Sequence, residues 1–416
     1  MILFKKIADF MLDKIKNPRA EERNASTIRT IIILFLLGTG YLAHMAGARR
    51  TYGYTVIFIL VLFGALIFWM PRVGKPEYHT NRLQRIWALL CFLQFVSELI
   101  VQKQNGFIEV WMLLSFGIMY RAWGRMEKPQ ELWDDFARAV ELFYIFTVIT
   151  CILVEPWWEK RAYGYTGIWK NPNLFSMTIV LFVLVMGYRI FQIYYKKGTY
   201  WKIIFYLGGL ILGVRIIFMT QCRTAVLALL ALCIWSVLFF LENRKKGRGI
   251  SSLELFLMMA AVVAGGLVLM FKGGALFTKK SAAITLDEMT SGRLSIWQAY
   301  LTQANWIGHE DSALLEGAPA YAHNAILKAV HTYGILAGIV LLVLLTVIFY
   351  RAICYWKSER KNEKAFLIIG IFLVYIISTM IESVDDLPLV WQIWTSFYFV
   401  MGFLMLQSGK KDRWNG

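Results

Sequence analysis

Long apolar segments separated by short polar ones run along almost the whole chain. An α-helix needs about 20 mostly apolar residues to cross the hydrocarbon core of a bilayer, and twelve stretches of the sequence approach that length. The pattern therefore predicts an all-α, polytopic membrane protein with about twelve transmembrane helices. The expected spans cover residues 30–46, 54–70, 86–101, 107–120, 139–154, 174–195, 200–220, 224–241, 253–271, 325–349, 365–381 and 389–406.

The polar segments between the spans give the expected domain organisation. The longest of them carries several glycines and a stretch at 291–306 with apolar residues near helical spacing, which predicts a short helix at the membrane surface. The N-terminal segment is basic and amphipathic without an uninterrupted apolar run, so we expect no cleaved signal peptide. The predicted parts are a cytoplasmic segment 1–29, nine helices in 30–271, a loop 272–324, three helices in 325–406 and a tail 407–416.

Composition narrows the class of protein further. Only 17% of the residues are charged and 58% are hydrophobic, against about 25% charged in a typical soluble domain, which argues against a soluble enzyme. The net charge of +17 would suggest a nucleic-acid partner only if the basic residues lay together on a solvated domain, and here they form short clusters between apolar runs. The five cysteines include no CxxC pair and predict neither a disulfide framework nor a zinc site.

The basic clusters predict the orientation of the chain. With the N-terminus in the cytoplasm, 31 of the 44 lysines and arginines fall in segments on the cytoplasmic side and 13 on the other side or at its edge. Lysine and arginine accumulate in cytoplasmic loops. We therefore expect a protein of the cytoplasmic (inner) membrane with both termini cytoplasmic and the loop 272–324 extracytoplasmic.

Four arginines fall on the extracytoplasmic side or within spans, where the charge bias does not explain them: Arg161, Arg215, Arg223 and Arg293. Any one of them, taken alone, can be a side chain that reaches from a helix end to a lipid phosphate. Four arginines on one side of the membrane are also a set that binds a phosphate or diphosphate, because the planar guanidinium contacts phosphate oxygens in bidentate fashion. The sequence thus predicts an anion site at the outer surface.

Three histidines lie on the same predicted side. His323 directly precedes the tenth span, where an imidazole either caps a helix or acts as a general base at neutral pH. His331 follows on the same expected helix, and packing or orienting is its expected role. For His309 we favour a solvated loop over a substrate contact.

Other motifs are weak or absent in the sequence. Glu382, with Asp385 and Asp386, forms an acidic outer turn that is either solvated or in contact with sugar hydroxyls. The chain has no DxD motif, no glycine-rich phosphate loop with its lysine and no HExxH. We therefore expect no metal, no cofactor, no nucleotide-dependent transferase and no ATP-driven pump.

Taken together, three segments resemble the O-antigen ligase and polymerase superfamily, whose members transfer glycans from a polyprenyl-diphosphate carrier outside the cytoplasmic membrane. The segment 161–173 is similar to the family's Arg, Gly and Pro-Asn signature before a span. The second segment matches a common Ser-Arg pair at a helix start, with Cys222 in place of the serine. The motif residues are Arg161, Gly164, Gly167, Pro172 and Asn173, then Gln221-Cys222-Arg223-Thr224-Ala225, then Gly292-Arg293, Trp297, Gly308, His323-Asn324, Leu327, Gly334 and Gly338.

The resemblance implies a metal-independent glycosyltransferase. Its donor would be an oligosaccharide linked to undecaprenyl diphosphate in the bilayer, and its acceptor another glycan. We favour a polymerase of O-antigen, capsule or exopolysaccharide, because the short outer loop leaves less structure for a bulky second acceptor. The alternative is a ligase that moves the finished glycan to lipid A core or protein. A chain-length regulator and a flippase are candidate protein partners, and no nucleic-acid partner is expected.

Carried over residue by residue, the resemblance assigns roles to Arg161, Arg223, Arg293 and His323, and with the residues singled out by charge and position the prediction has three catalytic and five substrate-binding residues. His323 would activate or position the acceptor hydroxyl, while arginines hold the diphosphate. A transporter or flippase for the same lipid-linked glycan is the alternative from another class, although the sequence shows no repeated halves or broken helices of the kind common in transporters. A structural membrane partner would leave these residues without a role. The catalytic set is His323, Arg223 and Arg293, and the binding set is Arg161, Asn173, Arg215, Asn324 and Glu382.

Overall fold

The regular secondary structure of the described residues is helical. The structure, a computed structural model, describes residues 18–44, 82–101, 117, 120, 123, 130–154, 164–167, 169, 171–195, 200–244, 292–309, 322–358, 363–381 and 392–411. The helices within these residues are α1 Pro18–His44, α2 Arg82–Ile100, α3 Glu131–Val154, α4 Pro172–Tyr195, α5 Tyr200–Thr220, α6 Arg223–Arg244, α7 Arg293–Thr302, α8 Ala325–Tyr333, α9 Ile335–Ser358, α10 Glu363–Ile381 and α11 Gln392–Lys411.

Seven of these helices, α2 to α6, α9 and α10, are long and apolar enough to cross a membrane. Two shorter apolar stretches, Asn24–Gly38 and Ser396–Gln407, lie in α1 and α11. Large apolar side chains such as Leu153 and Ile204 point outward with more than two thirds of their surface exposed, which suits lipid and not water. The protein is therefore an all-helical, polytopic membrane protein. The predicted spans 54–70 and 253–271, and nearly all of 107–120, lie outside the described residues.

Helix α4 forms the centre of the bundle. It packs against α3, α5, α6, α10 and α11, and it is buried on all sides because its sequence is apolar on every face. Glycines on its neighbours allow close contact: a Cβ atom on Gly213 of α5 would lie 2.7 Å from Val183 Cγ2, and one on Gly370 of α10 would overlap Leu184. Small residues at such contacts are typical of membrane helices, which associate mainly through close packing.

The helix directions define two ends of the bundle. At one end, Lys364 Nζ at the start of α10 lies 3.3 Å from Asp134 Oδ2 at the start of α3, and we call this the Asp134 end. At the opposite end, the Asn324 side chain just before α8 donates to the carbonyl of Met380 at the end of α10 (3.4 Å), and we call this the His323 end. The indole of Trp235 in α6 donates to Phe366 O in α10 (3.0 Å). Gly209 and Gly213 of α5 contact α4 in the reverse order of its sequence, so α5 runs antiparallel to α4 and ends at the His323 end. Helix α6 begins there, directly after α5, and is antiparallel to α10.

A group of buried ion pairs closes the Asp134 end. Arg29 Nε of α1 lies 2.6 Å from Asp135 Oδ2 of α3, with each side chain only 2% exposed. Arg189 of α4 pairs with Glu141 and lies 3.7 Å from Asp134, which also pairs with Lys364. The start of α3 is thus joined to three other helices by charged side chains.

This network corrects one part of the sequence interpretation. Arg29, Arg138, Arg189 and Lys364 were counted with the basic residues that mark cytoplasmic loops, yet all four lie in helices. Only Arg138 is exposed, at 56%, whereas the other three are buried and paired with carboxylates. A charge count cannot distinguish these cases, because a basic residue near a helix end can face either the headgroups or a buried carboxylate.

The predicted span 325–349 is interrupted, which the hydropathy pattern did not indicate. Gly334 has φ +94 and separates α8 from α9, and Gly338 of α9 packs directly on Val330 of α8, so the short helix folds against the longer one. The expectation that no helix is broken was wrong at this point. The break lies at the start of α9, which keeps 24 residues and still qualifies as a span.

Replacing Gly334 with alanine should destabilise the junction between α8 and α9. The new Cβ would overlap the carbonyl of Trp306, and φ +94 is unfavourable for any residue with a side chain. We expect a loss of roughly 1–3 kcal/mol, seen as a lower thermal unfolding midpoint in detergent. Gly208→Ala is the control, because nothing lies within 4 Å of its Cβ position in α5. Equal midpoints for the two variants would contradict the close contact between Gly334 and the Trp306 carbonyl.

Candidate functional site

The described candidate residues all lie at the His323 end of the bundle. Arg161 and Glu382, with the neighbouring Asp385 and Asp386, lie outside the described residues. Each of the others belongs to the start of a helix or to the last turns of one. Asn173 is in the first turn of α4, Arg215 is near the end of α5, Arg223 begins α6, Arg293 begins α7, and His323 and Asn324 precede α8.

Helices α7 and α8 form a small unit that carries Arg293 and His323. Ile296, Tyr300 and Ala322 are buried together between them. The indole Nε1 of Trp297 donates a hydrogen bond to Ala322 O (2.7 Å), directly before His323. Because Arg293 precedes Trp297 by four residues, the two share a face of α7. The unit therefore brings Arg293 and His323 to the same corner, although they are thirty residues apart.

Asn324 fixes the start of α8. Its side-chain oxygen accepts hydrogen bonds from Ile326 N (3.0 Å) and Leu327 N (3.1 Å), the usual arrangement of a helix N-cap. Its amide nitrogen donates to Met380 O of α10. The side chain of Asn324 thus has a structural role, and its predicted contact with substrate stays a prediction.

Arg223 lies at the same end of the bundle, as its position relative to α10 shows. Because α6 and α10 are antiparallel, the start of α6 is level with the end of α10, beside which Asn324 lies. The segment before α4 also packs here: Tyr165 N donates to Met219 O (3.0 Å), and a Cβ on Gly164 would be 2.6 Å from Thr220 O. The described parts of all three motif segments therefore converge at one end of the bundle.

Unusual backbone conformations occur at one predicted catalytic residue and close to another. Among the described non-glycine residues, only Gln221 (φ +57) and His323 (φ +48) have positive φ. His323 is itself a candidate base, and Gln221 lies two residues before Arg223. Such conformations are unfavourable for residues with a side chain and occur preferentially at functional sites, where the surrounding structure holds them.

The helix starts add positive electrostatic potential to the His323 end. Helices α4, α6, α7, α8 and α9 begin there, and none has an acidic residue in its first turn. At the Asp134 end, α3 begins with Glu131 and Asp134 and α10 with Glu363, while α2 and α5 begin there without an acidic residue. Arginine as the first residue of α6 and α7 is unfavourable for the helix itself, because the N-terminus is the positive end of the helix dipole. The arrangement suits the binding of an anion.

The other two histidines belong to the packing of the α7–α8 unit. The rings of His309 and His331 stack with centroids 4.5 Å apart, and Tyr300 lies 4.8 Å from His331. The backbone N–H of His309 donates to His331 O (3.0 Å), and its ring Nε2 lies 2.6 Å from Gln303 O. The expected packing role of His331 is confirmed by its burial. The solvated loop favoured for His309 was wrong, because its side chain is half-buried in this stack.

An apolar groove runs between α5 and α6 toward the same end. Its walls are almost entirely apolar, and they include Leu210, Val214 and Phe218 of α5 and Val226, Leu229 and Leu230 of α6. Arg223 lies one turn before Val226, and Arg215 lies in α5 between the wall residues Val214 and Phe218; both arginines are exposed. The combination of an apolar groove with nearby cations suits an anionic amphiphile.

Within the described part of the chain, no group of three or more His, Cys, Asp or Glu side chains is arranged to hold a metal ion. Comparison with protein-family models gives no match, and neither does comparison with curated proteins. Inference about function therefore starts from the residues at the His323 end.

Proposed function

We propose that this protein is a metal-independent glycosyltransferase that joins oligosaccharide units carried on polyprenyl diphosphate, at the extracytoplasmic face of the cytoplasmic membrane. The product would be a surface polysaccharide. One observation carries the proposal: sequence segments far apart in the chain bring Arg223, Arg293 and His323 to a single end of the helical bundle.

In the proposed reaction, an acceptor hydroxyl oxygen attacks the anomeric carbon of the donor sugar. The bond from that carbon to the diphosphate oxygen breaks, and its electron pair leaves with the diphosphate. His323 takes the hydroxyl proton, because an imidazole can act as a general base at neutral pH. Arg223 and Arg293 stabilise the negative charge that develops on the leaving diphosphate, helped by the helix starts around them. A single displacement inverts the configuration at the anomeric carbon.

The groove between α5 and α6 supports a lipid-linked donor. A polyprenyl chain is apolar along its whole length, which matches the groove walls, and its diphosphate would meet Arg215 and Arg223. In this arrangement Arg161 and Asn173 would contribute to the diphosphate site, and Glu382 would contact sugar hydroxyls.

The proposal includes a topology. It has twelve spans, with the additional ones at 54–70, 107–120 and 253–271, and both termini in the cytoplasm. The lysine and arginine distribution supports this orientation. A flippase would deliver the donor to the outer face, and a chain-length regulator would limit the product.

The Asp134 end argues for catalysis over transport. A transporter exposes its substrate site to each side of the membrane in turn. Opening the Asp134 end would separate Arg29 from Asp135 and Arg189 from Glu141, so the ion pairs that join α3 to α1 and α4 would be lost. A bundle closed in this way at one end suits a reaction that takes place entirely at the other.

Reconstitution tests the proposed function. Purified protein in lipid vesicles, given polyprenyl-diphosphate-linked oligosaccharide with EDTA and without nucleotide, should form a ladder of products resolved by size. The ladder should vanish with His323→Ala. A single transferred product on an added acceptor would instead identify a ligase. Folded protein that yields no product from authentic substrate would contradict catalysis and favour transport.

A further inference from the structure

The backbone around His323 is held from both sides. On one side, the carbonyl of Ala322 accepts the hydrogen bond from the Trp297 indole (2.7 Å). On the other side, the Asn324 side chain caps α8 and bonds to α10. His323 lies between these two anchors with φ +48 and is half-exposed.

The Trp297 hydrogen bond acts on the conformation of His323 directly. The Ala322 carbonyl belongs to the same planar peptide unit as the backbone nitrogen of His323. When that plane is fixed against α7, the conformation of His323 can still change by rotation about its N–Cα bond. The Asn324 cap limits rotation of the peptide unit that follows His323. The left-handed conformation costs a residue with a side chain about 1–2 kcal/mol, although histidine adopts it more often than most residues, and the two anchors stabilise it here. Relaxation to a common φ would move the Cβ atom and swing the imidazole.

We propose that Trp297 is a positioning residue for His323: its indole N–H holds the Ala322 carbonyl and thereby aims the imidazole at the acceptor hydroxyl. The inference rests on the proposed function, because it concerns the group that accepts the proton in that reaction. Trp297 contacts neither substrate nor reacting atoms in this role. The same hydrogen bond holds α7 against the segment before α8, so Arg293, one turn earlier on the same face of α7, stays near His323.

A purely structural role is the competing explanation, since Trp297 is half-buried in the α7–α8 unit. The same unit offers a matched control. Trp306 is 72% exposed and follows Trp297 by nine residues. Trp306→Phe therefore makes the same chemical change within the unit without removing the Ala322 bond.

The experiment compares Trp297→Phe with Trp306→Phe in reconstituted vesicles. Phenylalanine keeps an aromatic ring for packing but cannot donate a hydrogen bond. We expect Trp297→Phe to lower kcat by about tenfold or more while KM for the lipid-linked donor stays within about twofold, because misplacing a catalytic group affects the chemical step. The thermal midpoint should fall by only a few degrees, because one hydrogen bond contributes about 1 kcal/mol. Trp306→Phe should leave kcat, KM and midpoint unchanged.

A second readout does not depend on turnover. The chain has five histidines, so selective ¹³C labelling gives few ring signals, and the signal absent from His323→Gln identifies His323. That signal should shift in Trp297→Phe and stay in place in Trp306→Phe. A wild type that forms no product refutes the proposed function, while the NMR shift still shows whether Trp297 positions His323. An unmoved His323 signal, or a wild-type kcat in Trp297→Phe, overturns the inference.

Discussion

His323→Ala and Arg223→Ala should each abolish polymer while the protein accumulates in the membrane at the wild-type level. Loss of a general base lowers rates by about 100-fold to 10,000-fold, and loss of one group that stabilises developing negative charge costs about 100-fold to 1,000-fold. Both side chains lie at the His323 end, where His323 is half-exposed and Arg223 exposed, so truncation leaves no large cavity in the core. Polymer length on gels and immunoblots of the membrane fraction measure the two quantities.

Lys202→Ala is the control for these variants. It removes a positive charge from an exposed position in the first turn of α5, at the opposite end of the bundle. Polymer formation should continue in this variant. Normal polymer in Arg223→Ala, or a fall in protein abundance that matches the loss of product, would count against the chemical roles.

Asp135→Asn should produce the largest loss of stability. Arg29 would keep its charge in a site only 2% exposed, without the carboxylate that lies 2.6 Å from its Nε. Breaking a buried ion pair on one side typically destabilises a protein by about 3–5 kcal/mol. The thermal midpoint in detergent and the amount of folded protein recovered should both fall sharply. Activity per folded molecule should not change, because the pair lies far from the His323 end.

The double variant Arg29→Met/Asp135→Leu removes the ion pair without leaving a charge unpaired. It therefore shows how much of the lost stability comes from the unpaired charge of Arg29. Replacing both partners by apolar residues of similar size is often neutral or stabilising, so it should recover much of the lost stability. A double variant as unstable as Asp135→Asn would show that packing at this position, and not the unpaired arginine, determines the loss.

The helix boundaries could largely be predicted where an apolar run has polar ends. The expected span 200–220 coincides with α5, Tyr200–Thr220, because Lys196 and Lys197 precede the run and Gln221 ends it. The break at Gly334 could not be predicted from hydropathy, since the expected span 325–349 is apolar enough overall to read as one helix. It depends on the carbonyl of Trp306, which only the folded chain brings against this glycine.

The alternation of spans predicts that the candidate residues share one side of the membrane, and the described ones lie together at one end of the bundle. Which side of the membrane that end faces stays a prediction from the charge distribution. The contacts between them needed the structure. Nothing in the sequence pairs Trp297 with Ala322, or Arg29 with Asp135, because both contacts join segments far apart in the chain. The sequence offered two signals for Trp297, its place among the motif residues and its position four residues after Arg293, and neither identifies Ala322 as its partner.

The ion pairs at the Asp134 end affect which parts of the sequence can change during evolution. They join α1, α3, α4 and α10 at the end away from the candidate site, whereas the site is built from helix starts and connecting segments. Under the proposed function, substitutions that alter which sugar is accepted can therefore accumulate in those connecting segments without weakening the paired charges that hold the helices together. Lineages with different surface polysaccharides should differ most in the connections and least around Asp134 and Asp135.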